Sequence, residues 1–252
     1  MTRRFGRIQL ASMQPIGSPK QTEAPGMQFG LPDLGGKLPE TGRHPLALFS
    51  PASYEAKYPY PLLVWLFGEG MDETALLRLM PKVSKRNFAA VGLPGSAMAP
   101  RPRLADAATE AFDLHAEGQD REVDLFSAVR FAGRRLHVHT ERIFLVGVGV
   151  GATRALEYGL AYPGCFAGIA ALDGSFPPRT VRPLADWRRA RRVPVFLAHS
   201  AVGAREREVP RDRARRLLYT AGFSVESHLF PGPELSPRIL EELNQWIMAR
   251  LA

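Results

Sequence analysis

The sequence predicts an α/β fold: a three-layer α/β/α sandwich built on a mostly parallel sheet. Three observations carry this expectation. Short apolar runs alternate with stretches of helical period along most of the chain, the pattern of a parallel sheet covered on both faces. Runs such as Leu62–Phe67 and Ile143–Val146 are apolar throughout rather than alternating, as strands buried on both faces are. In Arg142–Leu156 an apolar run passes into a helical stretch through Gly147, Gly149 and Gly151. Glycine accepts strained backbone angles and lets strand and helix approach closely, so these alternate glycines predict a sharp, crowded turn.

The elements follow in order. Residues 1–43 are rich in Gly, Pro and Ser and read as an extended N-terminal arm with one short strand near Phe5–Leu10; residues 44–252 form the folded domain. His44–Ser50 alternates loosely as a strand antiparallel to the rest. Leu62–Phe67 is the next strand. Asp72 caps a helix to about Arg86, with Leu76, Leu77, Met80 and Val83 on one face and Pro81 as a possible kink. Phe88–Gly92 is a strand. Residues 93–118 have no period, and a loop of that length is usually functional or disordered. Asp120–His137 reads as a helix from Val123, Phe126, Val129 and Phe131. Arg142–Val146 and Val150–Tyr162 are the strand and helix around the glycine turn. Phe166–Leu172, Val193–His199 and Phe223–Phe230 are further strands, with a short helical approach at Trp187–Arg192. Pro210 opens a helix that Gly222 ends. Leu235–Leu251 closes the chain as an amphipathic helix with Leu240, Leu243, Ile247 and Leu251 inward.

A chain of 252 residues suits one large domain that buries a sizeable core. Its single cysteine, Cys165, excludes an intrachain disulfide and fits a reducing compartment. No apolar run approaches the ~20 residues of a membrane span, and the basic first residues lack the apolar segment of a signal peptide. The expectation is a cytoplasmic protein. The net charge is +8, and only five of the 33 basic residues are lysine. The Arg188–Arg192 and Arg205–Arg216 clusters would suit an acidic partner, nucleic acid or anionic lipid. No aromatic interleaving or nucleic-acid motif accompanies them, so a solvated arginine-rich surface is the reading favoured over a polyanion-binding module.

Five segments taken in order resemble the phospholipase/carboxylesterase branch of the α/β-hydrolases. Pro61–Glu73 is similar to the strand and oxyanion segment of that family, and Gly147–Gly151 resembles its nucleophile elbow, G-x-S-x-G. Ala161–Pro177, Val193–Ser200 and Leu229–Ser236 resemble the segments that follow. The resemblance spans about residues 44–250 and implies the same fold.

The same resemblance implies that the catalytic positions are degenerate. The nucleophile position is Gly149, which has no side chain. The acid position falls at Gly203 or Glu206, depending on the direction of counting. The histidine position is Pro233, which neither accepts nor donates a proton. The oxyanion segment keeps Gly68 and Gly70, but Glu69 stands between them, where a carboxylate opposes a developing oxyanion; Val150 follows the elbow. Acyl transfer needs a nucleophile activated by a base that a third group orients, and no such set is intact here.

The sequence offers other placements for the chemistry. Ser175 and Ser200 follow or end strands at the edge where open α/β sheets bind ligands. His199, or His115 from the long loop, is a base for either serine, although neither serine sits on a sharp elbow. His137 and His139 fall at the opposite edge, and His228 lies within a strand. Cys165 precedes a strand and reads as structural or exposed at the wrong edge. No His/Cys/Asp/Glu cluster has metal spacing, and the glycine spacing is not the dinucleotide fingerprint, so neither a metal nor a cofactor is expected. The glycine turn could hold an anion on backbone N–H groups. The favoured reading is a catalytically silent α/β-hydrolase homologue, a pseudo-esterase that binds a small-molecule or protein partner. An active carboxylic-ester hydrolase with a displaced triad is the alternative.

Overall fold

The computed structural model describes residues 45–95, 124–174, 187–201, 215–232 and 235–251, and the backbone of residues 8–11. Among the described residues, eight strands form one sheet: β1 (Ile8–Ala11), β2 (Leu46–Phe49), β3 (Tyr60–Leu66), β4 (Ala89–Leu93), β5 (Val138–Val148), β6 (Gly168–Leu172), β7 (Val195–Ser200) and β8 (Val225–Phe230). Their order is β1-β2-β4-β3-β5-β6-β7-β8. β2 pairs antiparallel with both β1 and β4. Every pairing from β4 through β8 is parallel, so all six carboxyl ends open on one edge.

Helices cover both faces, as expected. α1 is Ala75–Val83, α2 spans residues 124–135, α3 is Val150–Ala161, α4 is Trp187–Ala190, α5 spans residues 215–220 and α6 is Pro237–Met248. The period of two along β3 sends Leu62, Val64 and Leu66 to one face, against Phe126 and Val129 of α2 and Ala155 and Leu156 of α3. Leu63, Trp65 and Phe67 go to the other, against Met80 of α1 and Leu240 and Leu243 of α6. All seven β3 residues are buried, which is why that run carries no polar alternation.

Three expectations need correction. The first helix starts at Ala75, with Thr74 as N-cap. Asp72 instead accepts the Thr74 hydroxyl at 2.5 Å, and that bond, with the nearby Ala75 amide, holds its carboxyl below the usual pKa. The buried face also differs: Leu79 joins Leu76, Met80 and Val83 inside while Leu77 is half-buried. Pro81 lies within this helix without ending it. Finally, β5 begins at Val138 rather than Arg142, and His139 is inside it. Among the described residues, no helix is long and apolar enough to cross a membrane.

Candidate functional site

β5 reaches the carboxyl edge and turns into α3 at Gly149, whose φ of 56° and ψ of −120° make it the N-cap. These angles are strained for any residue with a Cβ. The turn is tied on both sides. The Gly149 N–H donates to the Leu172 carbonyl at the end of β6, 2.9 Å away, and its own carbonyl accepts from Ala152 N at 3.1 Å.

The flanking glycines are required by crowding rather than by angle. A Cβ on Gly147 would lie 2.3 Å from the Gly151 carbonyl oxygen, and one on Gly151 would lie 1.9 Å from that of Leu66. The loop leaving β3 presses on the same turn: a Cβ on Gly68 would stand 2.9 Å from the Val148 oxygen, and one on Gly95 would stand 1.8 Å from the Gly68 oxygen. Met71 N donates to Gly68 O at 3.2 Å, closing a turn through exposed Glu69 and through Gly70 at φ 76°. Gly149 itself differs, because the nearest atom to a Cβ there would be Gly68 Cα at 3.9 Å. The turn has room for a side chain and has none. Val150, half-buried, opens the first turn of α3.

Next to the turn lies a pair that sequence reasoning did not assemble. Val148 is registered with Leu172, and Leu172 with Ala198. One residue further along each strand, Gly149, Asp173 and His199 therefore stand in a row across three strand ends. Asp173 has φ 57°, one of two non-glycine residues in the left-handed region among those described. Its Oδ1 is 3.8 Å from Nδ1 of His199, with both side chains buried. That separation is longer than a formed hydrogen bond. Among the described residues, the buried Nε2 of His199 has no hydrogen-bond partner. The sequence signal for Asp173 was an acidic residue before Gly174 at the end of an apolar strand. A Cβ on Gly174 would be 2.5 Å from that of Ala152, so this chain end is also packed onto α3.

Of the remaining candidates, Ser200 is buried and donates its hydroxyl to the Gly232 carbonyl, linking β7 to the segment after β8. His228 lies over the rings of Phe196 and Phe230, with Nε2 3.0 Å from Glu226. His137 contacts the Ala56 carbonyl through Nδ1 at 3.0 Å, at the amino edge. His115, Ser175, Gly203, Glu206 and Pro233 lie outside the described residues. Among the described residues, no group of three His, Cys, Asp or Glu side chains could hold a metal ion.

The profile of the phospholipase/carboxylesterase family matches residues 123–251. No curated protein matches the sequence. Among solved structures, the carboxylesterase of Bacillus cereus superposes with a TM-score of 0.62 at 19% identity, over 82% of this chain and 95% of that one. The carboxylesterase of Mesorhizobium loti superposes at 0.60 with 19% identity, over 81% and 94%. At such identities these likenesses establish the α/β-hydrolase fold.

Proposed function

The chain belongs to the phospholipase/carboxylesterase family, and we propose that it is a silent member, keeping the hydrolase scaffold to bind a small-molecule or protein partner. One observation carries the reading. The residue at the position of the nucleophile is Gly149, at φ 56° and ψ −120°, so the backbone that would present a reactive hydroxyl is present and the hydroxyl is not. The sequence adds Pro233 at the base position and Gly203 or Glu206 at the acid position. Without a nucleophile and its base, the catalysis left to backbone N–H donors is small, and Glu69 in the turn after β3 opposes it. A single cysteine suits the reducing cytoplasm.

The experiment is ester turnover by the purified full chain. Hydrolysis of p-nitrophenyl acetate is expected to stay at the buffer rate. Gly149→Ser alone is expected to remain silent, because Pro233 leaves the serine without a base. Gly149→Ser with Pro233→His is the smallest change expected to give any turnover. Wild-type turnover well above buffer would overturn the reading.

The buried Asp173–His199 pair favours a second reading, an active ester hydrolase with a displaced triad. His199 would be the base, oriented by Asp173, with Ser175 as nucleophile. Ser200 is the poorer candidate because its hydroxyl proton is committed to Gly232, and His115 would have to reach in from the long loop. Under this reading wild-type turnover is present, and His199→Gln or Ser175→Ala abolishes it.

A further inference from the structure

The amino edge of the sheet, opposite the Gly149 turn, carries a groove of about 430 Å³, within the size range of small-molecule sites. Four segments that are distant in sequence converge on it. Tyr58 and Tyr60 come from the entry to β3, Arg86 from the entry to β4, and Arg142 from β5, while Met248 and Leu251 come from the end of α6. Tyr58 is 49% exposed and Met248 41%, so apolar surface is displayed inside a concave site, a feature that marks binding surfaces. The aromatic wall is held in place: Tyr60 packs edge-on to Tyr58 at 4.7 Å and stacks on Tyr54 at 5.4 Å, and its hydroxyl accepts from Glu55 N at 3.2 Å.

The groove carries charge of both signs. Among the described residues, neither Arg86 nor Arg142 has a carboxylate partner; the ion pairs found there involve Arg154, His199, His228 and Arg250 instead. The carboxyl end of α6 would place negative carbonyl ends beside the groove. Arg250 offsets this, donating Nη1 to the Trp246 carbonyl at 2.7 Å. Glu55, also in the wall, leaves the lining with one net positive charge, which suits a monoanion better than a phosphate dianion.

We propose that this groove binds a monocarboxylate with an aromatic or apolar body. The carboxylate is held by Arg86 and Arg142, the body lies against Tyr58, Tyr60 and Met248, and charge-assisted hydrogen bonds fix the head. The site is independent of the Gly149 turn, so it stands or falls separately from the silent-hydrolase reading.

The probe is 3-phenylpropionate, titrated into the full chain and followed by ligand-observed NMR. The expected Kd is on the order of 1 mM for a ligand of this size. Acetate lacks the body and 3-phenylpropanamide lacks the charge, and each is expected to bind roughly 10-fold or more weakly. Arg86→Gln with Arg142→Gln is expected to weaken 3-phenylpropionate by a similar factor, whereas Gly149→Ser leaves its binding unchanged. If the double variant does not fold, Arg86→Gln alone, at an exposed position, is expected to weaken binding about threefold. Absence of wild-type binding, equal binding of acetate or the amide, or undiminished binding by the folded arginine variant would overturn the proposal.

Discussion

The two edges of the sheet are built by opposite means. At the carboxyl edge the turn is specialised in its backbone, and Gly149 brings no side chain to it. Gly68, Gly95, Gly147 and Gly151 each sit where a Cβ would meet a backbone oxygen at 2.9 Å or less, and Gly149 adopts angles that suit only glycine comfortably. At the amino edge the side chains converge: tyrosines, arginines and His137 gather where the strands begin. The difference separates two reasons for a residue to persist. A glycine wedged between strand and helix is demanded by the fold whatever the protein does, whereas a reactive side chain is demanded only by chemistry. The carboxyl edge holds the first kind in full, and at Gly149 it has no side chain of the second kind.

The sharpest way to break this comparison is to add a methyl group to the frame. Gly151→Ala would place Cβ 1.9 Å from the Leu66 oxygen and 2.8 Å from that of Phe67, and neither is a flexible side-chain end that could swing away. Strand and helix must separate, and the expected loss is upward of about 3 kcal/mol in the urea midpoint. Gly147→Ala, with Cβ 2.3 Å from the Gly151 oxygen, is expected to behave alike. A loss below about 1 kcal/mol in either variant would show that the turn is looser than its contacts imply.

Gly149 should respond less. Its Cβ would have ordinary van der Waals space, with the nearest atom at 3.9 Å, so only the backbone angle opposes substitution. Gly149→Ala or Gly149→Ser is expected to cost about 1–2 kcal/mol. The gap between this variant and Gly151→Ala is the measurable form of the distinction between a position fixed by angle and one fixed by crowding. Equal losses would erase it.

How far the sequence revealed this architecture follows the same division. The interior strands were legible because burial on both faces leaves an unbroken apolar run, as in β3. The Gly149 turn was legible because backbone crowding writes itself as glycine. The first half of β5 was not, because Val138–Arg142 lies at the sheet margin and its half-exposed residues follow neither period. Nor was the inward turn of Leu79, which lies on the i, i+3, i+4, i+7 stripe with Leu76, Met80 and Val83. The Asp173–His199 pair joins two strand ends that only the β6–β7 register brings side by side, so it belongs to tertiary structure rather than to any local pattern. The groove at the amino edge was illegible for the same reason, with Tyr58, Arg86, Arg142 and Met248 drawn from four separate segments.

The smallest expected effect concerns the amino edge, where the chain does possess a strong nucleophile atom. Cys165 precedes β6 and is half-buried, and burial pushes its thiol pKa up from 9.0 to about 11. The thiolate is the reacting species, so at pH 8 its population falls about 100-fold below that of an unperturbed thiol, two pKa units being a factor of that size. Alkylation by iodoacetamide is therefore expected to be slow in the folded chain and to climb as pH rises toward about 11. In guanidinium the rate should return to that of a free cysteine. The sign follows from linkage: a group that holds its proton more tightly when folded stabilises the fold below the unfolded pKa, and that contribution is lost as pH rises from 9.0 through about 11. Cys165→Ser should shift stability by less than about 1 kcal/mol. Rapid alkylation at pH 8 would mean that the amino edge carries an activated thiol. The contrast between a turn whose Gly149 carries no side chain and an opposite edge whose thiol is quiescent would then have to be abandoned.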